Sequence, residues 1–132
     1  MKLNAGSLFF LSIAAFSSLA SAQAIAFGQE LQEGDQTNHW VTWIDGKNAC
    51  PGQQILGVLT KSPCDQPFNF GEVEYTLSGC SGETNSPPTV ILDSDGLQIG
   101  GCTTAHSGNK INCKDGLHDI VKHGTCVIIN GV

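Results

Sequence analysis

Residues 89–102 read TVILDSDGLQIGGC. Thr89–Leu92 and Leu97–Cys102 are strand-length runs rich in β-branched and aliphatic side chains. Between them stands Asp93-Ser94-Asp95-Gly96. Glycine after aspartate supplies the positive φ that a tight hairpin needs, so the stretch predicts two antiparallel strands. The same dipeptide recurs at Asp45-Gly46 and Asp115-Gly116. Turns of this kind between β-rich runs predict an all-β domain, a small disulfide-stapled sandwich or partly open barrel.

Working outward, His39–Ile44 is dense in Trp, Val, Thr and Ile, and Gln54–Thr60 carries Ile55, Leu56, Val58 and Leu59. Thr125–Ile129 is a β-branched final strand. Phe68–Leu77 alternates apolar and polar residues, but the phase shifts at Gly71, which predicts a bulge or kink there. Asp115–Gly124 reads either as a strand or as a single short helix over 115–123, with Asp115 as cap and Leu117, Ile120 and Val121 on one face. The strand is the favoured reading. Gln29–Asn38 and Ser81–Pro88 are polar and read as loops.

The cysteines decide how such a domain is held. Cys50, Cys64, Cys80, Cys102, Cys113 and Cys126 all follow an apolar leader. Met1 to Ala22 has the form of a secretory signal: Lys2, an apolar stretch from Leu8 to Phe16, then Ala20-Ser21-Ala22 before Gln23. Cleavage after Ala24 is the alternative. The apolar stretch is shorter than a bilayer span requires. The expectation is a secreted, extracellular protein whose single disulfide-rich domain covers residues 23–132. Oxidising compartments preserve disulfides, and no C-x-x-C pair suggests a metal site. Spacing alone does not choose the pairing. Only Phe27, Trp40, Trp43, Phe68, Phe70 and Tyr75 supply aromatic bulk after the leader, so covalent staples are expected to supplement a lean core.

Charge narrows the partners. The chain has 12 Asp and Glu against 6 Lys, no Arg, and a net charge of −6. Phosphate backbones demand clustered Lys and Arg. Nucleic acid and anionic membranes are therefore not expected partners, and a monomer facing a protein or a cell-wall glycan is.

Candidate catalytic residues are few. Glu72 and Glu74 stand two apart on a strand-like run; paired carboxylates serve glycoside hydrolysis, whereas the plainer reading is the solvated face of a strand. His39, His106, His118 and His123 match no zinc-binding spacing, and no metal or cofactor is expected. Asp93-x-Asp95-Gly96 resembles half a calcium loop, but Cys102 stands where the closing acid belongs. Gly79-Cys80-Ser81-Gly82 is not the G-x-S-x-G of a nucleophile elbow. Trp40, Trp43 and Tyr75 are the candidate binding residues, because an exposed ring stacks on sugar or anchors a protein. Three apart on one strand, Trp40 and Trp43 point to opposite faces, so at most one is exposed, and both lying in the core is the favoured reading.

In overall format, from leader to even cysteine count and Gly/Ser/Thr-rich loops, the chain resembles the small secreted cysteine-rich proteins of filamentous fungi. That resemblance implies a non-enzymatic effector acting on a host, with a role in virulence. A local stretch, Val90 to Leu97 and then Thr103-Thr104-Ala105-His106-Ser107-Gly108-Asn109 to Cys113, is similar to the C-terminal half of fungal guanyl-specific ribonucleases. It implies a ribonuclease-like enzyme or an inactive derivative, with His106 and Glu72 or Glu74 in catalytic roles. The family's catalytic Arg has no counterpart here, and its His stands farther ahead of Gly-Asn.

Overall fold

A computed structural model describes residues 23–32, 37–83, 86–113 and 118–129. The strands are β1 (Gln23–Gln32), β2 (His39–Ile44), β3 (Gln54–Val58), β4 (Pro67–Phe70), β5 (Val73–Ser78), β6 (Val90–Leu92), β7 (Gln98–Cys113) and β8 (His118–Ile128). One helical turn, α1 (Ala49–Gly52), follows β2. All eight strands join one sheet in the order β3-β2-β1-β8-β7-β6-β5-β4, and every pairing is antiparallel.

The sheet curls into a nearly closed barrel. Its buried cluster takes Ile25 and Phe27 from β1, Trp40 from β2, Leu56 from β3, Phe68 from β4, Tyr75 and Leu77 from β5, Ile91 from β6, and Cys126 and Ile128 from β8. Ile99 and Cys102 of β7 pack against it. Edge strands β3 and β4 thus meet the same core from opposite ends of the sheet and touch each other. A flat sheet does not bring its two edges to one cluster. Of the two architectures expected, the barrel is the one formed.

Side-chain alternation explains β1 and β2. Ile25 and Phe27 point inward; Ala26 and Gly28 point outward and are buried as well. On β2, Trp40 enters the barrel while Val41 and Trp43 join a second cluster outside it, with Ala26, Ala49, Cys113 and Ile120. The Cys50–Cys113 disulfide ties α1 to β7 beside that outer cluster. Both faces of β2 are therefore covered, which is why its sequence is apolar almost throughout.

The other disulfides pin the sheet elsewhere. Cys64–Cys80 joins the loop before β4 to the end of β5. Cys102–Cys126 links residues directly opposed on β7 and β8.

Three sequence expectations need correction, those at Gly71, Gln29–Gln32 and Asp45-Gly46, while the favoured strand over 118–123 forms. Gly71 marks no bulge: it begins a two-residue turn, Gly71-Glu72, with φ 64°, and Phe70 pairs with Val73. The expected single strand is the β4–β5 hairpin, and its apolar phase shifts because the chain reverses. Gln29–Gln32, read as loop, belongs to β1, where pairing to β2 and β8 outweighs polar composition. Of the span that admitted a helix, residues 118–123 are strand, because β1 and β7 offer ladders on both sides; residues 114–117, with Asp115-Gly116, lie outside the described residues. Asp45-Gly46 does turn the chain, with Gly46 at φ 88°, but it leads from β2 toward α1 and not into a hairpin. The decisive hairpin forms as read: Asp93 Oδ1 accepts from the N–H groups of Asp95 and Leu97, both at 2.9 Å.

Candidate functional site

The residues singled out from the sequence do not gather. Glu72 sits in the β4–β5 turn and Glu74 on β5, both exposed. His106 belongs to β7, and its side chain lies outside the described residues. Strand register sets the separation. Thr76, Leu92 and Gln98 form one cross-strand row. Glu74 lies to one side of that row and His106 well along β7 on the other, roughly 25 Å or more of strand at about 3.3 Å per residue. An acid and a base that distant do not share one reacting group.

Trp40, Trp43 and Tyr75 are 3%, 2% and 6% exposed. Trp40 and Trp43 do point to opposite faces, but α1 and the barrel interior cover both. Trp40 donates its indole N–H to the Lys61 carbonyl at 3.0 Å. Tyr75 stacks at a tilt on Phe68, and burial raises its hydroxyl above the ordinary tyrosine pKa. None of the three presents a ring to a ligand: both tryptophans lie in cores, and the surface platform that was their alternative is not formed. Among the described residues, no group of three or more His, Cys, Asp or Glu side chains converges on a common point.

What the fold does bring together lies on β7 and β8. The β8 ladder skips His123 on both sides: Phe27 pairs with Gly124 and Gly28 with Lys122 on β1, while Thr104 pairs with Gly124 and Asn109 with Lys122 on β7. Residues 105–108 of β7 thus leave the ladder opposite one residue of β8. Irregularities of this kind bend a strand and re-aim its side chains. Gly124 permits the close approach here, because a Cβ on it would meet the Phe27 ring and the Thr103 carbonyl.

A shallow concavity of about 180 Å³ opens at this point, lined by Thr103, Thr104, Ala105, Lys122, Gly124 and Thr125. Lys122 is its one charged group, and its ammonium donates to Asp45 Oδ1 at 2.8 Å. Farther along the same strand pair, a concavity of about 350 Å³ is lined by Gln98, Ile99, Gly100, Gly101 and Ile129. Glycines form its floor, so the β-sheet backbone itself is approachable there. Ile129, 64% exposed, lines it, and Val127, 48% exposed, stands opposite its Gly101 on β8. The two hollows lie on the same strand pair, one hydroxyl-lined and the other lined by glycines and aliphatic side chains, and together they are the β7–β8 track.

His123 borders this track from the inside. Its ring meets Trp40 edge-on at 5.9 Å between centroids, and its Nε2 is buried without a partner. Burial therefore holds its pKa below the ordinary 6.5. The unfolded chain binds a proton at the ordinary value, but the folded chain resists it. Stability from this group is complete above about pH 6.5 and is lost as pH falls toward the lowered value. Melting temperature should accordingly decline between pH 7.5 and 5, and His123→Gln should flatten that decline. Equal slopes in the two proteins would refute the assignment.

Sequence reading missed the track because its residues come from strands paired across a register shift. The available signals were glycines inside strand runs, Gly100-Gly101 and Gly124; Gly124 was read instead as a helix end. The fold defines a disulfide-stapled β-barrel-like domain. Compared with known families, curated proteins and solved structures, the chain matches none of them.

Proposed function

We propose that this is a secreted, non-enzymatic, effector-like protein that binds a protein target of a host or of the extracellular space through the outer face of β7 and β8. One observation carries the reading: exposed Ile129 lines a hollow with Gly100 and Gly101, and exposed Val127 stands opposite Gly101 beside it. Exposed aliphatic side chains clustered around a concavity are typical of surfaces that bury against another protein. The disulfides support an oxidising compartment. The net charge of −6 favours a basic partner approached with salt-sensitive rates.

A cell-wall carbohydrate is the second reading. With its aromatic candidates buried, it rests on the hydroxyl-lined hollow at Thr103, Thr104 and Thr125. A ribonuclease-like or glycosidase-like activity is the third, and it requires Glu72 or Glu74 to act without the distant His106.

Surface variants separate the three. Val127→Asp with Ile129→Asp should weaken saturable binding to host surface proteins at least tenfold, because charges would enter an apolar contact. Thr103→Ala with Thr125→Ala should leave that binding within twofold. Retention on chitin, cellulose or β-glucan that the threonine variant abolishes would favour carbohydrate. Turnover of RNA or glycan lost in Glu72→Gln or Glu74→Gln would overturn the non-enzymatic reading.

A further inference from the structure

We propose that the mature protein is modified at Gln23, which cyclises to an N-terminal pyroglutamate. The inference rests on the reading of residues 1–22 as a cleaved leader. Ala20-Ser21-Ala22 places the scissile bond directly before Gln23. In the fold, Gln23 stands on β1 opposite Ile128 on β8. Gln23 is exposed, whereas the next residues are locked into the barrel. Ala24 pairs with Val127, and its carbonyl accepts the Asp45 N–H at 2.9 Å. Ile25 is fully buried. The Gln23 side chain is thus left in solvent while the residues after it are held in the barrel.

The chemistry needs no partner reagent. The neutral α-amine of Gln23 attacks its own side-chain amide carbon, Cδ, and a five-membered lactam closes. The bond between Cδ and Nε2 breaks, and the proton lost by the amine leaves with that nitrogen as ammonia. An α-amine titrates near pH 7.7–8, so a useful fraction is neutral at about pH 7. Tethering nucleophile and carbonyl in one residue replaces a bimolecular encounter.

The position gives the modification a consequence particular to this fold. Gln23, Ile128 and Gly100 form one cross-strand row. Gly100 also lines the aliphatic hollow that Ile129 borders. A free N-terminus would set an ammonium at the rim of that hollow. The lactam replaces it with a neutral, compact ring and also denies aminopeptidases a starting amine, so β1 keeps its full length.

The test expresses the full chain, residues 1–132, in a secreting eukaryotic host and measures the intact mass of the secreted product. The expected mass is that of residues 23–132 with its disulfides closed, less one ammonia. Treatment with pyroglutamyl aminopeptidase should then expose Ala24 to stepwise sequencing, which is blocked before treatment. A mass equal to residues 23–132 with the ammonia retained overturns the proposal and leaves the leader reading standing. A product that begins at Ile25, after cleavage at Ala24, overturns the proposal and leaves the leader reading standing; a product that retains residues of the leader overturns both.

Discussion

Replacing Cys50 and Cys113 with serine should cost about 4 kcal/mol of stability, the chain-entropy value for a loop of their 63-residue separation. That is a large share of the roughly 5–15 kcal/mol that holds a domain together. It should also have a local signature. Trp43, Val41, Ala26 and Ile120 form the cluster outside the barrel, and the bridge holds α1 against that face. Without the bridge, Trp43 should gain water and its fluorescence should shift to the red, while Trp40, inside the barrel, stays put. The control is Cys64→Ser with Cys80→Ser. Its 16-residue separation predicts a loss of about 3 kcal/mol with no red shift, because that bridge is remote from Trp43. Chemical denaturation followed by both far-ultraviolet dichroism and tryptophan emission measures the two effects. Equal spectral shifts in the two double variants would refute the role given to the Cys50–Cys113 tether.

Gly124→Val should be at least as damaging. A Cβ at Gly124 would stand 2.7 Å from Phe27 Cε1 and closer still to the Thr103 carbonyl oxygen. Phe27 is fully buried and cannot swing aside without opening the core. Overpacking of this kind costs about 1–3 kcal/mol when the neighbours yield. Backbone on one side and a core ring on the other leave little room to yield, so about 3 kcal/mol or more is expected. Gly124→Ala with Phe27→Leu should lose less than the two single changes added together, because the smaller side chain relieves one of the two clashes. Strict additivity, read from denaturant midpoints, would mean that the ring contact is not what restricts the position.

Much of the architecture was legible in local patterns. The Asp93–Gly96 turn and the flanking β-rich runs gave β6 and the start of β7, because the hairpin is closed by residues near in sequence. His39–Ile44 gave β2 to the residue. β1 was obscured because its second half, Gln29–Gln32, is mostly polar and becomes strand only through ladders to His39–Trp40 and to His118–Val121. The Phe68–Leu77 run showed the right discontinuity at Gly71 and the wrong meaning for it. A phase shift marks both a bulge and a tight reversal, and only the pairing of Phe68 with Tyr75 tells them apart.

The site was less legible, for a physical reason. The opposite facing of Trp40 and Trp43 follows from strand geometry alone. That both faces are covered depends on a helical turn tethered from 63 residues away. The β7–β8 track depends on which residues of two strands lie opposite one another, and it contains no spaced motif. Aromatic and carboxylate side chains drew the sequence reading because they carry recognisable chemistry. The exposed surface that the fold assembles is made instead of threonines, glycines and aliphatics.

The strand order has a consequence for the life history of the chain. β1 lies between β2 and β8, the first described strand beside the last. Its ladder to β8 therefore cannot form until that final described strand is available to pair. Contacts this distant in sequence carry a heavy loop-closure entropy and place assembly toward the slower end of the two-state range. Until that moment Ile25 and Phe27 lack half of their neighbours. The barrel therefore closes late, when the last described strand joins the first.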